Sequence, residues 1–510
     1  MEGRLEERLA AVLSAAGHDA SAAPRIVRGE AVASLSATRN LALLVVDADA
    51  IQRSIFASPR PVTILGASAL LRKWDEAVGS GLHEEGSGAP VAPIYAGGGT
   101  ALLITVLEHA PSVATRLCER LREHTFSGTS AVLPVSPREL VEGPGAFGGG
   151  DTAAADALGI DAQGGGGFGR IVTHLMFRLR AAKGAARSHP FLQSPFGGAR
   201  CGQCALRPRS KDLEGACDVC DRRLREGVRE RRAHTDARSF EDLLESARRL
   251  AFVCVDGREV GKRLAACRTL GEYAALSGRL HRAFGSALDG VEHCIPVLAG
   301  GDDLLFVVPA TAVGSQPDCL TLTARLLRRI EAEAEVGAGA GVLVTSGLAA
   351  DLAFEHARGL CNEAKTACKE ARESAVDFEV LLGGSPLADS WAALRDAEVV
   401  VEGRTRLKLT QKPYVLSRFE DLLRRARQMR ALPASQLVGL REVFRDGLDV
   451  ARLVLAYQFV RHDVLAKALG GEPLRPSEWV LSAERDGWVA TALPDLIDAS
   501  RIVGAEEAAS

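Results

Sequence analysis

No apolar run in this chain reaches the length needed to cross a membrane, and the start Met1-Glu2-Gly3-Arg4-Leu5-Glu6-Glu7 lacks the basic residues and apolar core of a secretory signal. A membrane role is therefore not expected, and the expected location is the cytoplasm. Charge of one sign is lacking too. A formal net charge of -3 excludes a protein that coats nucleic acid over its whole surface, so RNA contact has to come from local basic patches. One such patch, the stretch from Arg222 to Arg232, has no interleaved aromatic residue on which a base could stack. It fits an RNA backbone, and equally a solvated helix whose arginines pair with Glu226 and Glu230.

What is present is enough apolar material for several cores. A chain of 510 residues with 47% hydrophobic content suits three or four packed domains and excludes global disorder. Eleven cysteines in a cytoplasmic context read as metal ligands and core residues rather than disulfides. Cys201-Gly202-Gln203-Cys204 and Cys217-Asp218-Val219-Cys220 form two Cys-x2-Cys knuckles. Their spacing suits one tetrahedral zinc, and four sulfur ligands leave no open position for catalysis. The other seven, Cys118, Cys254, Cys267, Cys294, Cys319, Cys361 and Cys368, stand in apolar or helical contexts and read as packing residues.

The apolar runs Cys294–Leu298 and Leu304–Val308 flank Gly300-Gly301-Asp302-Asp303, a strand-turn-strand pattern with paired acids at the turn. Adjacent carboxylates repel, so they are tolerated where a divalent cation or solvent neutralises them. The glycines supply turn dihedrals and permit close backbone approach to a phosphate. The same four residues also describe an ordinary solvated hairpin tip. Upstream, Leu250–Val255 is a buried-type strand ending in Asp256, followed by a helical stretch over about Gly261–Leu288. That order places Asp256 near Asp302 and Asp303, the layout of a two-metal palm site.

Together with Asp256-Gly257-Arg258-Glu259-Val260-Gly261-Lys262, this hairpin resembles the polymerase/cyclase palm of the large signature subunit of type III CRISPR effector complexes. The segment from Val46 to Ser58, with Asp47, Asp49, Ile51 and Gln52, is similar to that family's first palm. Ile94 to Ile104 repeats the hairpin with Gly97-Gly98-Gly99-Thr100, so that Gly99 and Thr100 stand where the second copy has its acids. The similarity spans roughly residues 38 to 385. It implies an α/β (α+β) protein with two ferredoxin-like palms, an inserted zinc-knuckle element and a helical C-terminal domain. It further implies a nucleotidyltransferase that converts ATP to cyclic oligoadenylates with Mg2+ or Mn2+, working with guide RNA, target RNA and the small and backbone subunits of a type III effector. Asp256, Asp302 and Asp303 would be catalytic metal ligands, and Gly300, Gly301, Asp47, Asp49, Gly97, Gly98, Gly99 and Lys365 would shape the nucleotide sites. Lys365 follows Ala364 as in the family's Ala-Lys pair, although Lys365 and Lys369 also fit a solvent-facing pair beside Glu363 and Glu370.

Two departures stand out. The family's histidine-aspartate nuclease domain is not expected, because His18-Asp19 and His462-Asp463 are isolated pairs. Arg258 occupies the position of a usual second acid, removing a metal ligand and adding positive charge. A degenerate scaffold of the same complex, or a cyclase acting outside any CRISPR complex, therefore stays open. The expected organisation is an N-terminal helical segment over 1–37, a first palm over 38–141, a glycine-rich loop over 142–170, a helical and zinc-binding element over 171–240, the second palm over 241–385 and the C-terminal domain over 386–510.

Overall fold

The run Leu41-Ala42-Leu43-Leu44-Val45-Val46 has no polar face, and in the computed structural model it is a strand buried on both sides. The structure describes residues 2–30, 34–58, 60–80, 88–143, 167–187, 199–210, 213, 215–233, 243, 248–347, 350–381, 395, 398–402, 405–472, 475–483 and 488–504. Most of the expected glycine-rich loop, 144–166, lies outside them. The chain divides into one unit of Met1–Thr235, Glu259–Ser286 and Val297–Asp303, and another of Asp236–Arg258, Ala287–Pro296 and Leu304–Ser510.

In the first unit, β1 (Leu41–Ala48), β2 (Val91–Gly97), β3 (Thr100–Val106) and β4 (Gly128–Val135) form a sheet in the order β2-β3-β1-β4. All three pairings are antiparallel, and β1 sets Asp47 opposite both Thr100 and Thr129. The helix Pro61–Ser80 joins β1 to β2, and Ala110–Glu123 lies between β3 and β4, which completes a ferredoxin-like βαββαβ unit. Ala110–Glu123 buries Val113, Ala114, Leu117, Cys118 and Leu121, a stripe at three- and four-residue spacing.

The basic stretch is internal at one of its arginines. It lies on the helix Asp218–Ala233, whose Gly227 sits where a Cβ would come 1.9 Å from the Val62 carbonyl, while one on Gly66 would come 1.8 Å from the Arg223 carbonyl. Two glycines thus bring this helix backbone to backbone against Pro61–Ser80. Arg223 is buried: its guanidinium donates to Thr125 Oγ1 at 2.8 Å, the Thr125 carbonyl at 3.0 Å and Ser54 Oγ at 2.8 Å, and stacks over Phe126. Glu226 and Glu230 pair with Lys73 and Arg72 of the facing helix.

The larger sheet runs in the order β12-β9-β8-β5-β7-β6, from β5 (Leu250–Gly257), β6 (Ile295–Gly300), β7 (Asp303–Pro309), β8 (Ala338–Thr345), β9 (Ala375–Val380) and β12 (Tyr414–Val415). Its portion β8-β5-β7-β6 repeats the strand order of the first sheet. The helical stretch expected over Gly261–Leu288 is two helices, Val260–Ala266 and Leu270–Gly285. They are divided where Thr269 and Glu272 form a capping box that starts the second.

After Val415 the chain is mainly helical, with Leu416–Met429, Ala434–Glu442, Leu448–Arg461, Asp463–Leu469 and Leu493–Ser500. Across the expected C-terminal domain, 386–510, the sequence reading missed the strands: β10 (Val399–Glu402), β11 (Thr405–Lys408), β15 (Ser482–Ala483) and β16 (Trp488–Ala490) form a sheet ordered β10-β11-β16-β15, and β13 (Gly471–Glu472) pairs with β14 (Arg475–Pro476). Buried Lys412 ties β9 to the helix Leu493–Ser500 through Glu379 at 3.0 Å and Asp495 at 3.5 Å. Among the described residues no helix is long and apolar enough to cross a membrane.

Candidate functional site

The turns of the two glycine hairpins meet inside the first unit. Gly98 and Gly99 turn between β2 and β3 with φ of 61° and 80°, a left-handed pair that favours glycine at both places. A Cβ on Gly300 would come 2.7 Å from Gly98 N and 2.8 Å from its Cα, so the two tips touch through backbone alone. Gly301, at φ 66°, faces the Tyr95 hydroxyl, which would stand 3.1 Å from a Cβ there. Glycine at these sites therefore brings the acid-bearing turn against the acid-free one.

Tyr95 donates to the Gly97 carbonyl at 3.0 Å, and the His281 ring meets it edge to face with centroids 6.4 Å apart. Burial, reinforced by the charges of Asp75, Asp302 and Asp303, drives the tyrosine pKa far up, so the phenol keeps its proton. Burial also lowers the His281 pKa, which favours a neutral ring. Asp302 and Asp303 are half-buried.

Asp75, on the helix Pro61–Ser80, reaches the acid-free tip and accepts from Gly99 N at 3.0 Å. Burial pushes its pKa to about 7, although the Gly99 and Gly98 N–H groups pull the other way. Asp47 and Asp49 lie beside the same tip, with Asp47 paired to Thr100 and Ala48 N donating to the Gly99 carbonyl at 2.8 Å. Thr100 Oγ1 donates to Asp47, Thr129 Oγ1 donates to Asp49 at 2.8 Å, and Lys183 of the helix Gly167–Arg187 pairs with both carboxylates.

The second unit carries Asp256 at the end of β5, opposite Gly339 of β8. Lys365, on the helix Ala350–Ala371, crosses to Asp256 Oδ2 at 2.6 Å. The approach depends on glycine: a Cβ on Gly339 would come 2.6 Å from Lys365 N, and one on Gly341 would come 2.0 Å from the Ala357 carbonyl. Burial raises the Asp256 pKa and Lys365 opposes that rise. The Arg258 guanidinium donates to the Cys368 carbonyl at 3.1 Å, at the last turn of the same helix.

The cysteine knuckles converge as their spacing implies. The sulfurs of Cys201, Cys204, Cys217 and Cys220 all lie within 4.8 Å of one another and all four residues are buried. Sulfurs about 2.3 Å from a tetrahedral zinc are about 3.8 Å apart, and Cys204 and Cys217 are 3.9 Å apart. The N–H groups of Gln203 and Cys217 point at Cys201 Sγ from 3.4 and 3.3 Å, the outer contacts that favour a thiolate. The donor set fits a structural zinc. Of the other cysteines, Cys118, Cys254, Cys267, Cys319, Cys361 and Cys368 are buried and Cys294 is half-buried.

Sequence reasoning missed Tyr95, Asp75, His281 and Lys183. Tyr95 lies two residues before Gly97 and carried a readable signal, a polar aromatic at a glycine turn. The other three come from helices distant in sequence and carried none.

No protein-family model and no curated relative matches the chain. Solved structures do. A Csm1-Csm4 cassette in complex with cA4 aligns with a TM-score of 0.56 at 16% identity, covering 94% of this chain and 73% of that one. The cassette in complex with cA3 aligns at 0.51 and 16%, over 94% and 73%. Csm1 in T. onnurineus aligns at 0.51 and 16%, over 94% and 72%. At this identity the likeness is one of fold alone.

Proposed function

We propose that this protein is a nucleotidyl cyclase that joins ATP into cyclic oligoadenylates as a subunit of a type III CRISPR ribonucleoprotein. The observation that carries this reading is the carboxylate pair Asp302-Asp303 on a glycine turn whose backbone lies against a second, acid-free glycine turn. A fold shared with Csm1 structures that hold cA4 and cA3 supports the same chemistry.

Asp302 and Asp303, with Asp256 as the family resemblance implies, would hold Mg2+ or Mn2+. Bound there, such ions lower the pKa of an attacking 3′-hydroxyl and neutralise a triphosphate. The chain's own residues do the rest. Gly300 and Gly301 leave the turn without side chains, so its backbone can approach a phosphate closely. Tyr95 stays protonated and holds the Gly97 carbonyl, adding no negative charge beside the acids. Lys365 opposes the effect of burial and favours the ionised form of Asp256. Zinc on the four cysteines would be structural. ATP, guide and target RNA, and small and backbone effector subunits are the proposed partners, the cytoplasm the proposed location, and no histidine-aspartate DNase activity is proposed.

One observation favours a second reading, a scaffold without catalysis: the Lys365 ammonium already sits on Asp256. The deciding experiment is incubation of the target-bound effector complex with ATP and Mg2+ or Mn2+. The cyclase reading expects pyrophosphate and adenylate oligomers, and expects Asp302→Ala/Asp303→Ala to abolish them with complex assembly intact. Absence of product from the parent complex refutes the cyclase and leaves the scaffold.

A further inference from the structure

The end of β1, beside the acid-free turn, carries hard oxygen donors for a cation. Asp47 and Ala48 are the last two residues of β1 and Asp49 follows: two carboxylates and a main-chain carbonyl within three residues. Oxygen sets of this kind bind divalent cations. The ammonium of Lys183 sits among them, in contact with Asp47 Oδ2, 3.2 Å from Asp49 Oδ1 and 3.2 Å from the Ala48 carbonyl. Three N–H donors thus meet three oxygens. The side chains are 20–30% exposed, sheltered enough for the pairing to be ordered and open enough for a hydrated ion to enter. Thr100 and Thr129 hold the outer carboxylate geometry by donating to Asp47 and Asp49. Thr100 stands where the other turn has its second acid, so a hydroxyl meets Asp47 here, and Lys183 comes to it from the helix Gly167–Arg187.

We propose that Lys183 is the resident cation of the first hairpin, filling the cradle of Asp47, Asp49 and the Ala48 carbonyl and so closing it to divalent metal. A fixed ammonium neutralises the two carboxylates without adding a metal-activated oxygen. Metal is thereby confined to one hairpin of two. The inference concerns metal stoichiometry and does not require that the acid hairpin be catalytic.

Mn2+ alone is the probe, with bound and free ion counted by electron paramagnetic resonance on the full chain. The parent is expected to bind no Mn2+ through Asp47, so Asp47→Asn leaves its count unchanged. Lys183→Ala is expected to bind one additional Mn2+ per chain, at least tenfold more tightly than the parent binds at that place. The additional ion is lost in Lys183→Ala/Asp47→Asn, and Lys183→Arg retains the parent count. Should removal of the side chain to Cβ prevent folding, Lys183→Met keeps the stem and gives the same test. The additional site should persist when Asp302→Ala/Asp303→Ala is added, which separates this proposal from the cyclase reading. Equal counts in parent and Lys183→Ala or Lys183→Met, or a count in the parent that falls with Asp47→Asn, overturn it.

Discussion

Asp75 gives the acid-free turn a pH dependence that can be isolated by one substitution. Its residue is half-buried, and loss of solvent around the carboxyl pushes it from 3.8 to about 7, with Glu76 beside it and Tyr95 among the groups that feel its charge. A carboxyl whose folded pKa is raised favours the folded state at low pH. That advantage is lost as pH rises from the unfolded pKa through the folded one, because the unfolded chain ionises first. The gap from 3.8 to about 7 corresponds to about 4 kcal/mol at 1.36 kcal/mol per pH unit. Between pH 5 and 8 roughly 2–3 kcal/mol of it is lost, since the unfolded carboxyl is already ionised at pH 5. Asp75→Asn keeps an oxygen to accept from Gly99 N and removes the titration. Relative to the parent, the variant should therefore gain roughly 2–3 kcal/mol between pH 5 and 8, or about 5–10 °C in Tm for a unit of this size. The assay is thermal unfolding of both proteins across that range, in which every other group titrates alike and cancels. Parallel pH profiles would refute a raised pKa at Asp75.

Two further outcomes are expected. The purified chain should contain about one zinc, and Cys204→Ser should release it and lower the melting temperature, as elemental analysis and unfolding will check; a metal-free parent would remove the zinc reading. Gly300→Ala should cost about 1–3 kcal/mol and strongly reduce any product, because its Cβ meets Gly98 N at 2.7 Å and backbone cannot move aside as a side chain can. Gly79→Ala, with nothing within 4 Å of its Cβ, is the control; equal behaviour of the two variants would show that the tips are not packed as described.

Local pattern accounts for what could be read without coordinates. Continuous apolar runs announce β1, β3, β5 and β7, and the knuckle spacing announces the cysteine cluster, because strand and knuckle are both decided by neighbours a few residues away. The weak strands β10, β11, β15 and β16 were not legible. They are two to four residues long and lie in a region whose helical periodicity dominates. The arginine-rich helix was half legible: its charges are plain, but only Gly66 and Gly227 reveal that Arg223 faces inward, and a glycine contact is a property of two segments.

By itself, then, the sequence determined two glycine hairpins, one with acids and one without, the strand-end acids Asp47 and Asp256, and a four-sulfur cluster. Tertiary structure decided what each acid meets. Lys183 and Lys365 reach Asp47 and Asp256 from helices more than 100 residues away in the chain, and Asp75 reaches Gly99 from a helix face shared with buried apolar residues. The charge state of a carboxylate depends on the groups within a few ångströms of it, and for these three the nearest groups are not their sequence neighbours.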